Sequence, residues 1–115
     1  MRNFIQIAPI HKGVTDCTIT GIAYVAKTKK EIANLPEHQI LVTQYATPDL
    51  VEYFQRAKAI ATDHGGATSH AANIARQRGY VVALGLGEAT KLIQTGDEIT
   101  IEIKNGLSRV ILKGT

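Results

Sequence analysis

The 115-residue sequence has little from which a disulfide framework, an aromatic core or a membrane anchor could be built. Cys17 is its only cysteine, so no disulfide can form within the chain. A reducing, cytoplasmic setting is the expectation, with Cys17 as a small buried apolar residue. Tryptophan is absent and aromatic residues make up 5%, so the core must be aliphatic. No apolar run approaches the ~20 residues that a membrane span needs, and no membrane partner is expected. The opening MRNFIQIAPIHK lacks the long apolar core of a signal peptide. There is no P-loop and no GxGxxG, hence no recognisable nucleotide site. There is no nucleophile elbow either. Internal repeats and low-complexity segments are also missing.

What remains is an ordinary globular composition. Hydrophobic residues are 44%, charged residues 20%, and the net charge is +3. The length bounds the chain to a single domain, 1–115, with enough apolar content for a core. The mild positive charge includes Lys12, Lys27, Lys29 and Lys30. No aromatic residues interleave them in a nucleic-acid motif, so no nucleic-acid partner is expected.

One stretch carries chemistry. Ala59 to Gly79 reads AIATDHGGATSHAANIARQRG. Ala59-Ile60-Ala61 is a short apolar strand, Asp63-His64-Gly65-Gly66 a loop, and Thr68 to Arg78 a helix with Gly79 as its C-terminal cap. His70 then lies in the first helical turn, just after paired glycines. Glycines let the backbone bend tightly and let a ligand approach it. A helix N-terminus offers unpaired N–H groups and a partial positive charge, which together attract an anion. That charge disfavours the imidazolium and keeps His70 in its neutral, nucleophilic form. The arrangement is a nucleophile beside an anion cradle, as a phosphoryl-accepting histidine requires. Gly65 and Gly66 would supply backbone amides, and Thr68 or Ser69 a hydroxyl donor.

The run Thr62-Asp63-His64-Gly65-Gly66-Ala67-Thr68-Ser69-His70-Ala71-Ala72-Asn73-Ile74-Ala75-Arg76 resembles the phosphohistidine signature of the mobile, or swivelling, domain of phosphoenolpyruvate-utilising enzymes. The family is of the phosphoenolpyruvate synthase, pyruvate phosphate dikinase and enzyme I type. Ile40-Leu41-Val42-Thr43 and Thr47-Pro48-Asp49-Leu50 resemble an upstream segment of it. Leu84-Gly85, Ala89-Thr90, Leu92 and Gly96-Asp97 resemble a downstream one. The resemblance covers about residues 19 to 112. It implies that His70 is the phosphorylated histidine, that Thr68 is the hydroxyl residue two before it, and that Gly65 and Gly66 are the paired glycines. It further implies a phosphoryl carrier that binds no cofactor itself. ATP or phosphoenolpyruvate, with Mg²⁺, would be held by partner domains or subunits. His64, Ala67 and Val81 depart from the family pattern, where glutamate, larger residues and proline are usual. Those departures leave room for a non-catalytic regulatory or interaction module that keeps the fold.

Along the chain, Phe4 to Ile7 reads as a strand ended by Pro9, and residues 11 to 18 as turn-rich. Thr18 to Ala26 is a strand interrupted by Gly21, Lys27 to Asn34 a weak helix or loop, and Gln39 to Thr43 an apolar strand. Thr47-Pro48-Asp49 starts a helix, with Leu50, Val51, Phe54 and Ala57 as its core stripe. The strand 58–62 and the His70 helix follow, then a strand 80–84, a helix 86–93 and a turn at Thr95-Gly96-Asp97. Glu98 to Lys104 alternates as a half-exposed strand, and Asn105-Gly106 turns it into Leu107 to Leu112. The β-α-β-α-β middle with antiparallel ends predicts a layered α/β domain with a mixed sheet and a C-terminal β-hairpin. The resemblance narrows this to the β/β/α swivelling phosphohistidine domain.

Other combinations are weaker. Asp63, His64 and His70 are close enough in sequence to ligate a metal, but no fourth ligand accompanies them, and no metal is expected. His11 and His38 read as solvated. Ser69 beside His70 is no hydrolase pair, because adjacent helical residues do not face each other. Arg76 and Arg78 lie about two turns beyond His70, toward solvent or a partner. Met1 and the closing hairpin favour a free-standing chain working with separate subunits over an excised domain.

Overall fold

A computed structural model describes residues 6–9, 17–45, 47–65, 70–78, 80–104 and 107–112. In chain order its elements are β1 (Gln6–Pro9), β2 (Cys17–Val25), α1 (Lys29–Ala33), β3 (Ile40–Thr43), a 3-10 helix (Pro48–Tyr53), β4 (Ala59–Thr62), α2 (His70–Arg78), β5 (Val82–Ala83), α3 (Ala89–Leu92), β6 (Glu98–Lys104) and β7 (Leu107–Leu112). The described strands form one mixed sheet in the order β1-β7-β6-β2-β3-β4-β5.

β2 belongs to both halves of this sheet. Its residues 17–22 pair antiparallel with β6, from Cys17↔Ile103 to Ile22↔Glu98. Its last three residues pair parallel with β3, from Ala23↔Ile40 to Val25↔Val42. The strand thus changes partner just after Gly21. A β-carbon at Gly21 would stand 3.2 Å from Cγ1 and Cδ1 of Ile40 and from Cδ of Lys58. Any larger residue there would make Ile40 and the Lys58 stem give way by a few tenths of an ångström, so glycine suits the close packing at this point of the strand.

The two halves fold onto each other around one apolar cluster. The antiparallel half contributes Ile99, Ile101, Val110 and Leu112, all buried. The parallel half contributes Ile40 and Val42 from β3, Ala59 and Ala61 from β4, and Ala83 from β5. Strand side chains alternate, so the intervening Leu41, Ile60 and Val82 point the other way. They enter a second cluster with Leu35, Leu50, Phe54, Ala57 and Ala75. The parallel half is therefore covered on both faces, as its unbroken apolar runs require. The layers are antiparallel sheet, parallel sheet and helices, which is the expected β/β/α order. The small alanines of β4 and β5 let the two sheet layers approach closely.

Several local expectations are met with adjusted limits. The C-terminal hairpin is present, with Lys104 opposite Leu107. Residues 105–106 lie outside the described residues, as do residues 11–16 of the turn-rich stretch 11–18, whose last two residues, Cys17 and Thr18, instead begin β2 and pair with β6. β1 extends through Pro9 and pairs with β7 at the sheet edge, where a missing backbone donor is tolerated.

The segment 27–34, read as a weak helix or loop, forms α1. Thr28 accepts from the Glu31 amide at 3.1 Å, and the Glu31 carboxylate accepts from the Thr28 amide at 3.1 Å. This reciprocal capping box is written in the sequence as Thr-x-x-Glu. The Thr47-Pro48-Asp49 start opens a 3-10 helix in which the Thr47 hydroxyl bonds the Asp49 carboxylate and caps no amide.

The strand expected over 80–84 shortens to Val82–Ala83 because the Tyr80 amide turns back to the Ala75 carbonyl at 2.9 Å. The helix expected over 86–93 shortens to Ala89–Leu92. The amides of Leu86 and Gly87 are taken by the carbonyls of Thr62 (2.9 Å) and Asp63 (2.8 Å). Gly87 is held at φ 88°, outside the helical region.

Candidate functional site

Parallel β3, β4 and β5 end side by side, with Thr43 opposite Thr62 and Ala61 opposite Ala83. The segments that follow them therefore emerge together at the carboxyl end of the parallel sheet, where α/β folds hold ligands. Gly65 lies here at φ 137°, exposed, after the last residue of β4. A β-carbon on Gly65 would make such a φ costly, so glycine is the residue for the position. α2 opens on His70. Gly66, Thr68 and Ser69, the other expected cradle residues, lie outside the described residues.

The backbone leading into this loop is pinned from two sides. On the β3 side, the Asp63 amide donates to the Thr43 carbonyl at 3.1 Å and the His64 amide to the Gln44 carbonyl at 2.8 Å. On the β5 side, the carbonyls of Thr62 and Asp63 accept from Leu86 and Gly87. The Thr62 hydroxyl donates to the His64 carbonyl at 2.6 Å. The Asp63 side chain completes the set. It is 6% exposed. One carboxylate oxygen accepts from the Thr90 amide at 3.0 Å and the other from the Thr90 hydroxyl at 2.5 Å. With both oxygens engaged, Asp63 is used inside the protein, which weakens its standing in the Asp63, His64 and His70 metal trio considered from sequence.

The far end of α2 is anchored as well. Tyr80 stacks on Phe54 with ring centroids 4.5 Å apart and planes at 8°. Its hydroxyl donates to the Ala57 carbonyl. Burial pushes this phenol above its ordinary range. Ala75, midway along α2, is fully buried against the same cluster. Arg78 is exposed, in keeping with a solvent or partner role, and so is His38. The helix that begins at His70 is thus fixed at its C-terminal end, while its entrance follows the pinned loop.

Sequence reasoning placed Asp63 in the loop and Thr90 in a downstream segment without joining them. They are 27 residues apart, and no local periodicity links such positions. It also missed Tyr45. This exposed ring stacks on His64 with centroids 5.1 Å apart and planes at 22°.

The family model of the PEP-utilising enzyme mobile domain matches residues 35–106, more than half of the chain. The chain belongs to this family of mobile domains. Phosphoenolpyruvate synthase of Aquifex aeolicus is 40% identical to it over 107 residues, covering 91% of this chain and 12% of that protein. A probable phosphoenolpyruvate synthase of Pyrococcus horikoshii is 46% identical over 87 residues, covering 76% of this chain and 11% of that protein. Among solved structures, the solution structure of Enzyme I (nEIt) aligns with a TM-score of 0.58 at 28% identity, over 73% of this chain and 34% of that one. The mobile domain described here therefore spans a small fraction of each of these relatives. Among its described residues no helix is long and apolar enough to cross a membrane.

Proposed function

We propose that this mobile domain is a phosphoryl carrier with His70 as the acceptor. The observation that carries the reading is α2 opening on His70 directly after the Gly65 loop, at the carboxyl end of the parallel sheet, in a chain of this family. The unprotonated nitrogen of His70 attacks the phosphorus of a donor. An N–P bond forms, the donor's P–O bond breaks, and the electron pair leaves on the donor oxygen. The phosphoryl oxygens rest against the amides of Gly65 and Gly66 and the hydroxyls of Thr68 and Ser69. Such transfer depends mainly on positioning and charge stabilisation, so a small carrier needs only the nucleophile and its cradle. ATP or phosphoenolpyruvate, with Mg²⁺, is held by separate donor and acceptor domains.

The test is to incubate the chain with radiolabelled phosphoenolpyruvate and a phosphoenolpyruvate-binding domain, and with labelled ATP and an ATP-binding domain, each taken from a relative. The expected product is an acid-labile, alkali-stable phosphate on residue 70, absent in His70→Ala. Undiminished labelling of His70→Ala would remove the assigned nucleophile. No label from either donor would leave the domain as an interaction module.

A further inference from the structure

We infer that Asp63 is a positioning residue for the phosphoryl acceptor, acting through Thr90 to set the path of the loop that leads into His70; this rests on His70 being the acceptor. The first observation is chemical. A carboxylate that is 6% exposed is a poor choice for packing, because taking a charge from water is costly unless its lone pairs are satisfied. Among the described residues no lysine or arginine forms a salt bridge with Asp63. Instead one residue, Thr90, satisfies both oxygens, with its amide at 3.0 Å and its hydroxyl at 2.5 Å. Two bonds to one residue define an orientation as well as a distance, as a paired fork does in other carboxylate contacts.

The second observation is where the pair sits. Asp63 is the first residue after β4, and its own amide and carbonyl are bonded to Thr43 and Gly87. All its polar atoms are thus committed, to Thr43 at the end of β3 on one side and to Gly87 and Thr90 in the segment after β5 on the other. The third observation is independent of hydrogen bonding. A β-carbon on Gly85, at φ 75°, would stand 3.2 Å from the carbonyl oxygen of Gly65. The loop after β5 is therefore in close contact with the loop after β4 at a second point, two residues beyond Asp63. The segment from Gly85 to Thr90 acts as a template against which the Asp63–Gly65 backbone is moulded. The chain then enters the acceptor loop in one direction. A displacement of about 1 Å at a reacting group can slow a step by about 100-fold, so loosening this template acts on rate before it acts on folding.

The experiment compares Asp63→Asn, Thr90→Val, Thr90→Ser and a core control, Ile99→Val, in full-length chain. Ile99 is fully buried in the cluster between the two sheet layers. Phosphoenolpyruvate with its binding domain is the donor. Single-turnover labelling of His70, the partner concentration giving half-maximal rate, and thermal unfolding are measured for each. The expected result is labelling about 10- to 100-fold slower for Thr90→Val and Asp63→Asn, with the half-maximal partner concentration unchanged. Thr90→Ser, which keeps the hydroxyl, returns to within about threefold of wild type, and Ile99→Val lowers the melting temperature without slowing labelling. Amide exchange at His64 and Gly65 rises in Thr90→Val and not in Ile99→Val. If Asp63→Asn fails to fold, Thr90→Val decides. Wild-type rates in Thr90→Val, or slowing in Ile99→Val that matches its loss of stability, would overturn the positioning role while His70 labelling stands. Absence of label on the wild-type chain would instead overturn the carrier reading itself.

Discussion

Gly85 faces Gly65 so closely that a single added methyl group would stand 3.2 Å from the Gly65 carbonyl oxygen. Gly85 is also held at φ 75°, which costs a residue with a β-carbon about 1–2 kcal/mol. Gly85→Ala is therefore expected to lower stability by about that amount, measured by denaturant unfolding. Because the added methyl presses on the loop before His70, it is also expected to slow His70 labelling more than a core variant of equal stability loss.

Gly21 has a different constraint. Its partners are the fully buried Ile40 and the stem of Lys58. The Lys58 stem can move, but Ile40 is enclosed. Gly21→Val gains strand propensity and loses more by overpacking, which costs about 1–3 kcal/mol. The midpoint of urea unfolding is the measurement, and an unchanged or raised midpoint would contradict the packing described at the strand crossover.

Tyr80 makes the stability depend on alkaline pH. Its phenol is raised above the ordinary value of 10.0 by burial. The folded state thus favours the protonated form. The corresponding stability is fully present below about pH 10 and is lost as the pH rises toward the folded value. Tyr80→Phe keeps the ring stacked on Phe54 but removes the hydroxyl from the Ala57 carbonyl, for a loss of about 1 kcal/mol at neutral pH. Unfolding curves from pH 8 to 11 are expected to converge for the two proteins at the alkaline end.

Glu31 gives the opposite sign. Its carboxylate accepts from the backbone amides of Lys27 and Thr28, which lower it from its ordinary value of 4.5. The contribution is present above about pH 4.5 and fades as the pH falls through the folded value. Thr28→Ala and Glu31→Gln are each expected to lower the melting temperature at pH 7. The gap between wild type and Glu31→Gln is expected to close in acid.

The legibility of this chain was uneven, for physical reasons. The strands at 40–43, 59–62 and 98–104 were readable because apolar runs and strict alternation are local signals. The hairpin followed from two residues, Asn105 and Gly106, between patterned strands. The start of α1 was equally local, since Thr28 and Glu31 are three residues apart, although the segment reads as only a weak helix without its capping box. The expectation at 80–84 was overlong because the Tyr80 amide turns back five residues to the Ala75 carbonyl, a helix-end bond that the apolar run hides. The one at 86–93 failed where the distant carbonyls of Thr62 and Asp63 took the backbone donors of Leu86 and Gly87. No short window on the sequence holds both ends of those two bonds.

The order of residues alone determined the glycine loop followed at once by a helix opening near His70, because turn and cap chemistry act over a few positions. Tertiary structure alone decided that β2 would serve two half-sheets, that Gly85 would press on Gly65, and that Asp63 would spend its carboxylate on Thr90. Those relationships depend on which surfaces meet when two sheet layers and their helices close around shared apolar faces. Contact between segments so far apart is a property of packing, which local pattern does not encode.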